Sequence, residues 1–292
     1  MSNNYDAGPL FALNYTWAKW MLIAAGLGIA LGMWRRLFLG PSRVYEAERG
    51  TLKRHAWPVA IAHWVNAVGF LLTLYSGASL IRLLPRSVAE TTLYMLHYTG
   101  LTLMLLSLLA VITYQFVYGG HSFHVTSADV RDALLELVAY TGLIGDGGIL
   151  GFGALKWPAS WRRRLEKKLG ADRQHRTGKY LPVEKVLSLL PWIIVVSFLV
   201  LTGLIKGLHY LIPMPAGLIQ IATMIHDWCV YAGGLMLVFH VAALLVVRTN
   251  WPLLASMFTT RVSAHYAAER HPEWFKEAES LAKAAGEQRL GG

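Results

Sequence analysis

Charged residues are nearly absent from five stretches of the chain: 17–39, 56–80, 92–117, 186–210 and 217–247. Coiled as a helix, each is long enough to cross a hydrocarbon layer about 30 Å thick. None alternates apolar and polar positions in the manner of a barrel strand. Helices are therefore the form in which these stretches satisfy their own backbone in lipid. The connection 119–185 is too long for a turn. Within it, 128–140 (ADVRDALLELVAY) has helical spacing suited to lying along the membrane interface. GDGGILGFG (145–153) follows no strand, which argues against a phosphate loop. WPASWRRRLEKKLG (157–170) is basic and amphipathic, the pattern of a surface helix on anionic headgroups, and that placement is compatible with a docked partner subunit. The tail ERHPEWFKEAESLAKAAGEQ (269–288) predicts a short helix outside the membrane with a loose end.

Composition agrees: the 292 residues are 55% hydrophobic, with 11 Trp, 13 Tyr and a mean hydropathy of +0.42. This is an integral membrane protein rather than a soluble domain with a large core. The net charge of +10 would suggest nucleic acid in a soluble chain; here it reads more simply as loops facing anionic lipid. Lys and Arg number six in 35–54, eleven in 119–185 and six from Arg248 onward, against only Lys19, Arg82, Arg86 and Lys206 on the other side. The positive-inside rule then puts the N-terminus in the periplasm and the C-terminus in the cytoplasm of a bacterial inner membrane. The single cysteine, Cys229, excludes a disulfide framework and suggests neither a zinc site nor a cysteine-bound iron–sulfur cluster. The opening MSNNYDAGPLF lacks the basic region of a cleaved signal and is expected to stay in the mature chain.

Chemistry enters with the histidines. His226 and His240 lie 14 residues apart in the fifth run. On one helix that spacing is roughly 21 Å along the axis and about 40° around it. One helix thus offers an imidazole to each leaflet, with Gly233 and Gly234 between them thinning it where a flat group would pass. The topology places His97, near the start of an inward-running helix, at the depth of His226, and His63 at the depth of His240. Any one of these could be a packed, hydrogen-bonded core residue. Two same-depth pairs are more simply the bis-imidazole ligands of two haems b in a four-helix bundle. Gly69, Gly77 and Gly100 on the partner helices would allow close approach or serve packing alone. Arg54 and Lys53 stand at the cytoplasmic mouth, suited to haem propionates or equally to lipid phosphates. His265 and His271 lie beyond the last run and are expected to be solvated. His121, His124 and His175 lack a compact zinc spacing.

Several stretches, in order, resemble the gamma subunit of membrane-bound respiratory formate dehydrogenase, a four-helix dihaem cytochrome b. They are AHWVNAVGFLLTLYSG (62–77), YMLHYTG (94–100), TGKYLPVEK (177–185), MIHDWCVYAGGLMLVFH (224–240) and RHPEWFKEAE (270–279). The resemblance covers about residues 55–285. It implies that His63 and His240 hold a cytoplasmic haem and His97 and His226 a periplasmic one. It further implies a periplasmic iron–sulfur subunit as electron donor, with a molybdenum or tungsten catalytic subunit behind it in a larger oligomer. The acceptor is a quinone, menaquinone or ubiquinone, in a pocket formed by Gly178, Lys179, Tyr180, Glu184, Lys185 and His240. Residues 1–54 then form an extra N-terminal helix with a basic connection, 55–250 the dihaem bundle and 251–292 a cytoplasmic tail.

Two departures stand out. Leu181 and Glu184 replace the family's asparagine and glutamine after GKY, which puts the quinone contacts in doubt; Glu184 then serves either as a proton donor or as an ion-pair partner of Lys185 or Lys179. The first helix is also absent from the family's core, and either packs alone or replaces an anchor that the iron–sulfur partner supplies. The chain has no dehydrogenase site of its own. A cytochrome b serving another periplasmic oxidoreductase, such as a hydrogenase, stays open, as does a haem-free histidine-relay channel or transporter, although no internal repeat supports a transporter.

Overall fold

In a computed structural model the described residues are 9–39, 45–46, 50–118, 125–140, 158–169, 177–210 and 212–290. His121, His124, His175 and the glycine-rich 145–153 lie outside them. Five helices are long and apolar enough to span a membrane: α1 (Pro9–Leu39), α2 (Trp57–Leu80), α3 (Glu90–Tyr118), α6 (Leu190–Leu208, entered through a π-helical turn at Glu184–Leu189) and α7 (Ala216–Leu245). At most 22% of any span's most apolar window is buried. Such faces have no place in water, and the protein is an all-α integral membrane protein.

Local chemistry explains the boundaries. Pro58 sits in the first turn of α2, where a missing N–H costs nothing. Arg82, with φ +62°, ends that helix in the left-handed region, and the Arg86 guanidinium donates to the exposed carbonyls of Ser79 and Leu80 at 3.3 and 3.0 Å. Pro191 has no N–H and its ring crowds the turn before it; the widened π turn ends at Leu189, just ahead of it. The interfacial stretch forms α4 (Ser127–Tyr140), opened by a reciprocal cap in which Asp129 N donates to Thr126 Oγ1 and Thr126 N to Asp129 Oδ2. The basic stretch forms α5 (Ala159–Leu169).

The chain divides into two compact units, interleaved in sequence. One comprises 1–41, 61–119 and 193–235; the other comprises 42–60, 120–192 and 236–292. In the first, α1 packs along α3 through Gly28 and Gly32. A Cβ at those positions would stand 2.5 Å from Leu106 O and 2.6 Å from Ala110 O, so the two backbones touch. The crossing of α2 and α3 is equally close, since a Cβ on Gly69 would lie 2.7 Å from Gly100 O and one on Gly100 2.5 Å from Gly69 O. Gly233 does not leave an open slot: the Phe70 ring stands 3.2 Å from where its Cβ would be.

The second unit holds elements that periodicity does not announce. Strands β1 (Tyr45–Glu46), β2 (Thr51–Lys53) and β3 (Arg261–Ser263) form an antiparallel sheet in that order, with Leu52 opposite Val262. Helices α8 (Trp251–Thr259), α9 (Ala264–Arg270) and α10 (Pro272–Leu290) complete it. Thr260, at φ +64°, turns the chain from α8 into β3, and its carbonyl accepts from the backbone N–H of both Arg54 and His55. Leu52, Leu181, Leu253, Val262, Tyr266, Ala267, Trp274 and Ala278 pack as one core. The tail is thus folded structure from 251 onward.

The backbone contact of α1 with α3 leads to a specific expectation. Gly28→Leu or Gly32→Leu should destabilise the detergent-solubilised protein by about 1–3 kcal/mol. Gly26→Leu, with nothing within 4 Å of its Cβ position, should leave the midpoint of thermal unfolding nearly unchanged.

Candidate functional site: a paired-imidazole centre and a buried arginine knot

His97 on α3 and His226 on α7 face each other in the first unit, their ring centroids 6.2 Å apart. Each is held from behind by a hydroxyl. Ser76 Oγ lies 3.0 Å from His97 Nδ1 and itself donates to Leu72 O at 2.6 Å. Thr202 Oγ1 lies 2.9 Å from His226 Nδ1 and itself donates to Phe198 O at 2.5 Å. A hydroxyl has one hydrogen, and both are given to helix carbonyls. The hydroxyl oxygens therefore accept, the imidazoles carry their protons on Nδ1, and each Nε2 keeps its lone pair. A hydrogen-bonded Nδ1–H is the arrangement that fixes the tautomer and orientation of a metal-binding imidazole.

The spacing fits one metal ion between two rings. A metal–imidazole bond is about 2 Å, and each ring centre lies roughly another ångström behind its nitrogen. Opposed imidazoles on a single ion thus stand ~6 Å apart. Room for a planar macrocycle comes from glycine: a Cβ on Gly77 would reach 3.6 Å from His97 Cε1, and one on Gly203 3.4 Å from His226 Cε1. The residues present fit a bis-imidazole haem. Ser76 and Thr202 were not singled out by sequence; the signal was available, since each lies on a neighbouring helix at the depth of the histidine it meets.

His63 lies on α2, with its ring edge-on to Trp64 at 5.2 Å, and His240 lies in the last third of α7. They belong to different units and are described singly.

The remaining candidates gather in the second unit around Arg54, which is 2% exposed. Its Nη2 donates to both oxygens of Glu184 at 3.0 Å, and Nη1 lies 3.2 Å from His271 Nε2. Since the guanidinium only donates, Nε2 accepts, and Nδ1–H of His271 donates to Gly178 O at 2.8 Å. Burial first, and then the Arg54 charge, lowers the His271 pKa to about 4 from its ordinary 6.5. The expectation of a solvated His271 is thereby corrected: the ring is fully buried, because the tail returns to the entrance of α6 instead of leaving it. His265, by contrast, is 92% exposed.

Glu184 also takes a different partner from those expected. It binds Arg54 and accepts from Leu181 N at 2.8 Å, capping the turn opened by Pro182, while Lys185 donates to Asp129 at 3.0 Å. Arg54 is accordingly committed to protein groups rather than to propionates or lipid phosphates. Lys179 lies over the Tyr180 ring at 5.7 Å, and Arg54 lies over the same ring at 5.6 Å. Burial, followed by the Arg54 charge, brings the Lys179 pKa down to about 8. Burial pushes Tyr180 up to about 12. Of the expected quinone set, Gly178, Lys179, Tyr180 and Glu184 therefore converge on Arg54, and Lys185 points to α4.

Two consequences can be measured. Glu184→Ala strands a buried guanidinium and should destabilise the protein by roughly 3 kcal/mol, the low end for a broken buried pair, because the carboxylate is 32% exposed. The second concerns pH. Neutral His271 is favoured in the folded state, so the unfolded chain binds the extra proton between pH 6.5 and about 4. Stability should fall across that window on acidification, and His271→Gln should flatten the slope seen in thermal melts.

Residues 54–260 match the family described as prokaryotic cytochrome b561. No curated protein sequence matches the chain. The family match spans most of the chain, including all four intramembrane histidines and the spans that carry them. The chain belongs to the prokaryotic cytochrome b561 family, and its family and helices make it a multi-pass haem b electron-transfer subunit.

Proposed function

We propose that the chain is the membrane-anchoring cytochrome b subunit of a respiratory complex of the formate dehydrogenase type. In this reading it links a periplasmic iron–sulfur subunit, itself fed by a molybdenum or tungsten catalytic subunit, to menaquinone or ubiquinone. The observation that carries the reading is the His97–His226 pair, 6.2 Å apart with both Nδ1 positions occupied by hydroxyls. His63 and His240 are proposed as the second pair on the strength of the 14-residue spacing and the matched depths. Bound haem supplies a carrier that takes up and releases one electron.

The chain's own residues supply binding, orientation and protons. Ser76 and Thr202 orient the outer imidazoles. On the cytoplasmic side, Gly178, Lys179, Tyr180, Glu184, Lys185 and His240 are proposed to form the quinone pocket. Glu184 is engaged twice by Arg54 and once by Leu181 N, so it suits a structural role there. Lys179, titrating near pH 8, suits proton delivery to a reduced quinone. The Lys and Arg distribution supports a bacterial inner membrane with the N-terminus periplasmic and the C-terminus cytoplasmic. In α5, Trp161 and Leu165 share one side, with Arg163, Arg164, Lys167 and Lys168 around it, which supports contact with anionic lipid. The substitutions Leu181 and Glu184 favour, as a second reading, the same role beside another periplasmic oxidoreductase such as a hydrogenase.

Purified protein should show two haems b per chain by pyridine haemochrome assay, with a Soret shift on dithionite reduction. His97→Ala and His226→Ala should each lose the same haem, and His63→Ala and His240→Ala the other. A colourless protein from haem-replete cells would overturn the proposal. Partner identity is tested by which subunits co-purify from the native membrane.

A further inference from the structure

Thr202, Gly203 and Lys206 occupy one face of α6, at the spacing that stacks side chains on a helix surface. Thr202 takes the His226 Nδ1 proton and Gly203 makes room beside the His226 ring. Lys206, one turn on, places its Nζ 3.7 Å from Oδ1 of Asp227, the residue next to His226 on α7. Both side chains are about one-third exposed, at 33% and 36%, and both belong to membrane-spanning helices. An ion pair at such a place is costly and asks for a function. Holding α6 to α7 does not require it, because the Thr202–His226 hydrogen bond and the close approach at Gly203 already do so. The pair is also longer than a hydrogen bond, so the two charges do not cancel locally. The Lys206 charge acts on His97 and His226 alike.

We propose that Lys206 and Asp227 set the reduction potential of the haem held by His97 and His226, with Lys206 raising it and Asp227 lowering it. The inference rests on the reading of those histidines as haem ligands. Reduction adds one electron to the iron and removes one unit of positive charge, with no bond made or broken. A fixed cation near the rings therefore favours the reduced form, and a fixed anion the oxidised form. At low effective dielectric such a charge is felt well beyond contact distance. The pair lies beside the imidazoles proposed for the outer haem, where electrons would enter.

The test is an optical redox titration of the purified, haem-loaded full-length protein, with dithionite as reductant and ferricyanide as oxidant. At fixed ambient potential, Lys206→Gln should lower the reduced-to-oxidised ratio of one haem about tenfold, equivalent to 59 mV for a one-electron couple. Asp227→Asn should raise the ratio of the same haem, and the double variant should return most of the way to wild type. Lys206→Arg, which keeps the charge, should titrate as wild type. If Lys206→Gln fails to incorporate haem, the upward shift in Asp227→Asn decides the matter. Unchanged potentials, or shifts of the same sign in both single variants, overturn this inference while leaving the ligand assignment intact. Full haem content in His97→Ala overturns both.

Discussion

An imidazole in hydrocarbon has an N–H that water cannot reach, and leaving that donor unpaired costs more than most single contacts return. The first unit answers this with two hydroxyls whose own hydrogens are spent on helix carbonyls one turn back. Once Ser76 and Thr202 are committed in this way, each ring is locked in tautomer and direction, and both lone pairs are left toward the space between α3 and α7. Close helix packing follows the same logic. Glycine at 69, 77, 100 and 203 brings backbones near enough for a short serine or threonine side chain to reach across.

The second unit solves a different problem. Arg54 is a permanent cation with almost no exposure, which is tolerable only when its donors are filled. Glu184 fills one end of the guanidinium and His271 faces the other, while Tyr180 lies beneath it. The same carboxylate caps the first turn leading into α6, and the same histidine grips the carbonyl of Gly178. The GKY loop is thereby suspended from both sides rather than closed on itself.

The five spans were legible in the chain, each to within a few residues except the start of α1, because lipid imposes long uninterrupted apolar runs. The amphipathic helices α4 and α5 were legible from their periodicity for a similar reason. The histidine pairs were legible as depths, since helical rise converts sequence spacing into distance. What could not be read depends on contacts between remote segments. The strands of two or three residues carry no usable period, and the partner of Glu184 lies 130 positions away at Arg54. Charge and a position beyond the last span made His271 look like a surface residue. Its burial arises from the three-stranded sheet and α9, which turn the tail back, and that geometry leaves no periodic trace.

The knot at Arg54 also bears on how the protein is made. Arg54 and His271 are separated by 217 positions, and the loop they close includes four of the five spans. The residues of the first unit end at 235, whereas those of the second continue to the C-terminus. Synthesis therefore supplies every side chain of the His97–His226 centre before the arginine can meet its histidine. The second unit becomes complete only after the ribosome has released nearly the whole polypeptide, so its assembly is necessarily a late event in biogenesis.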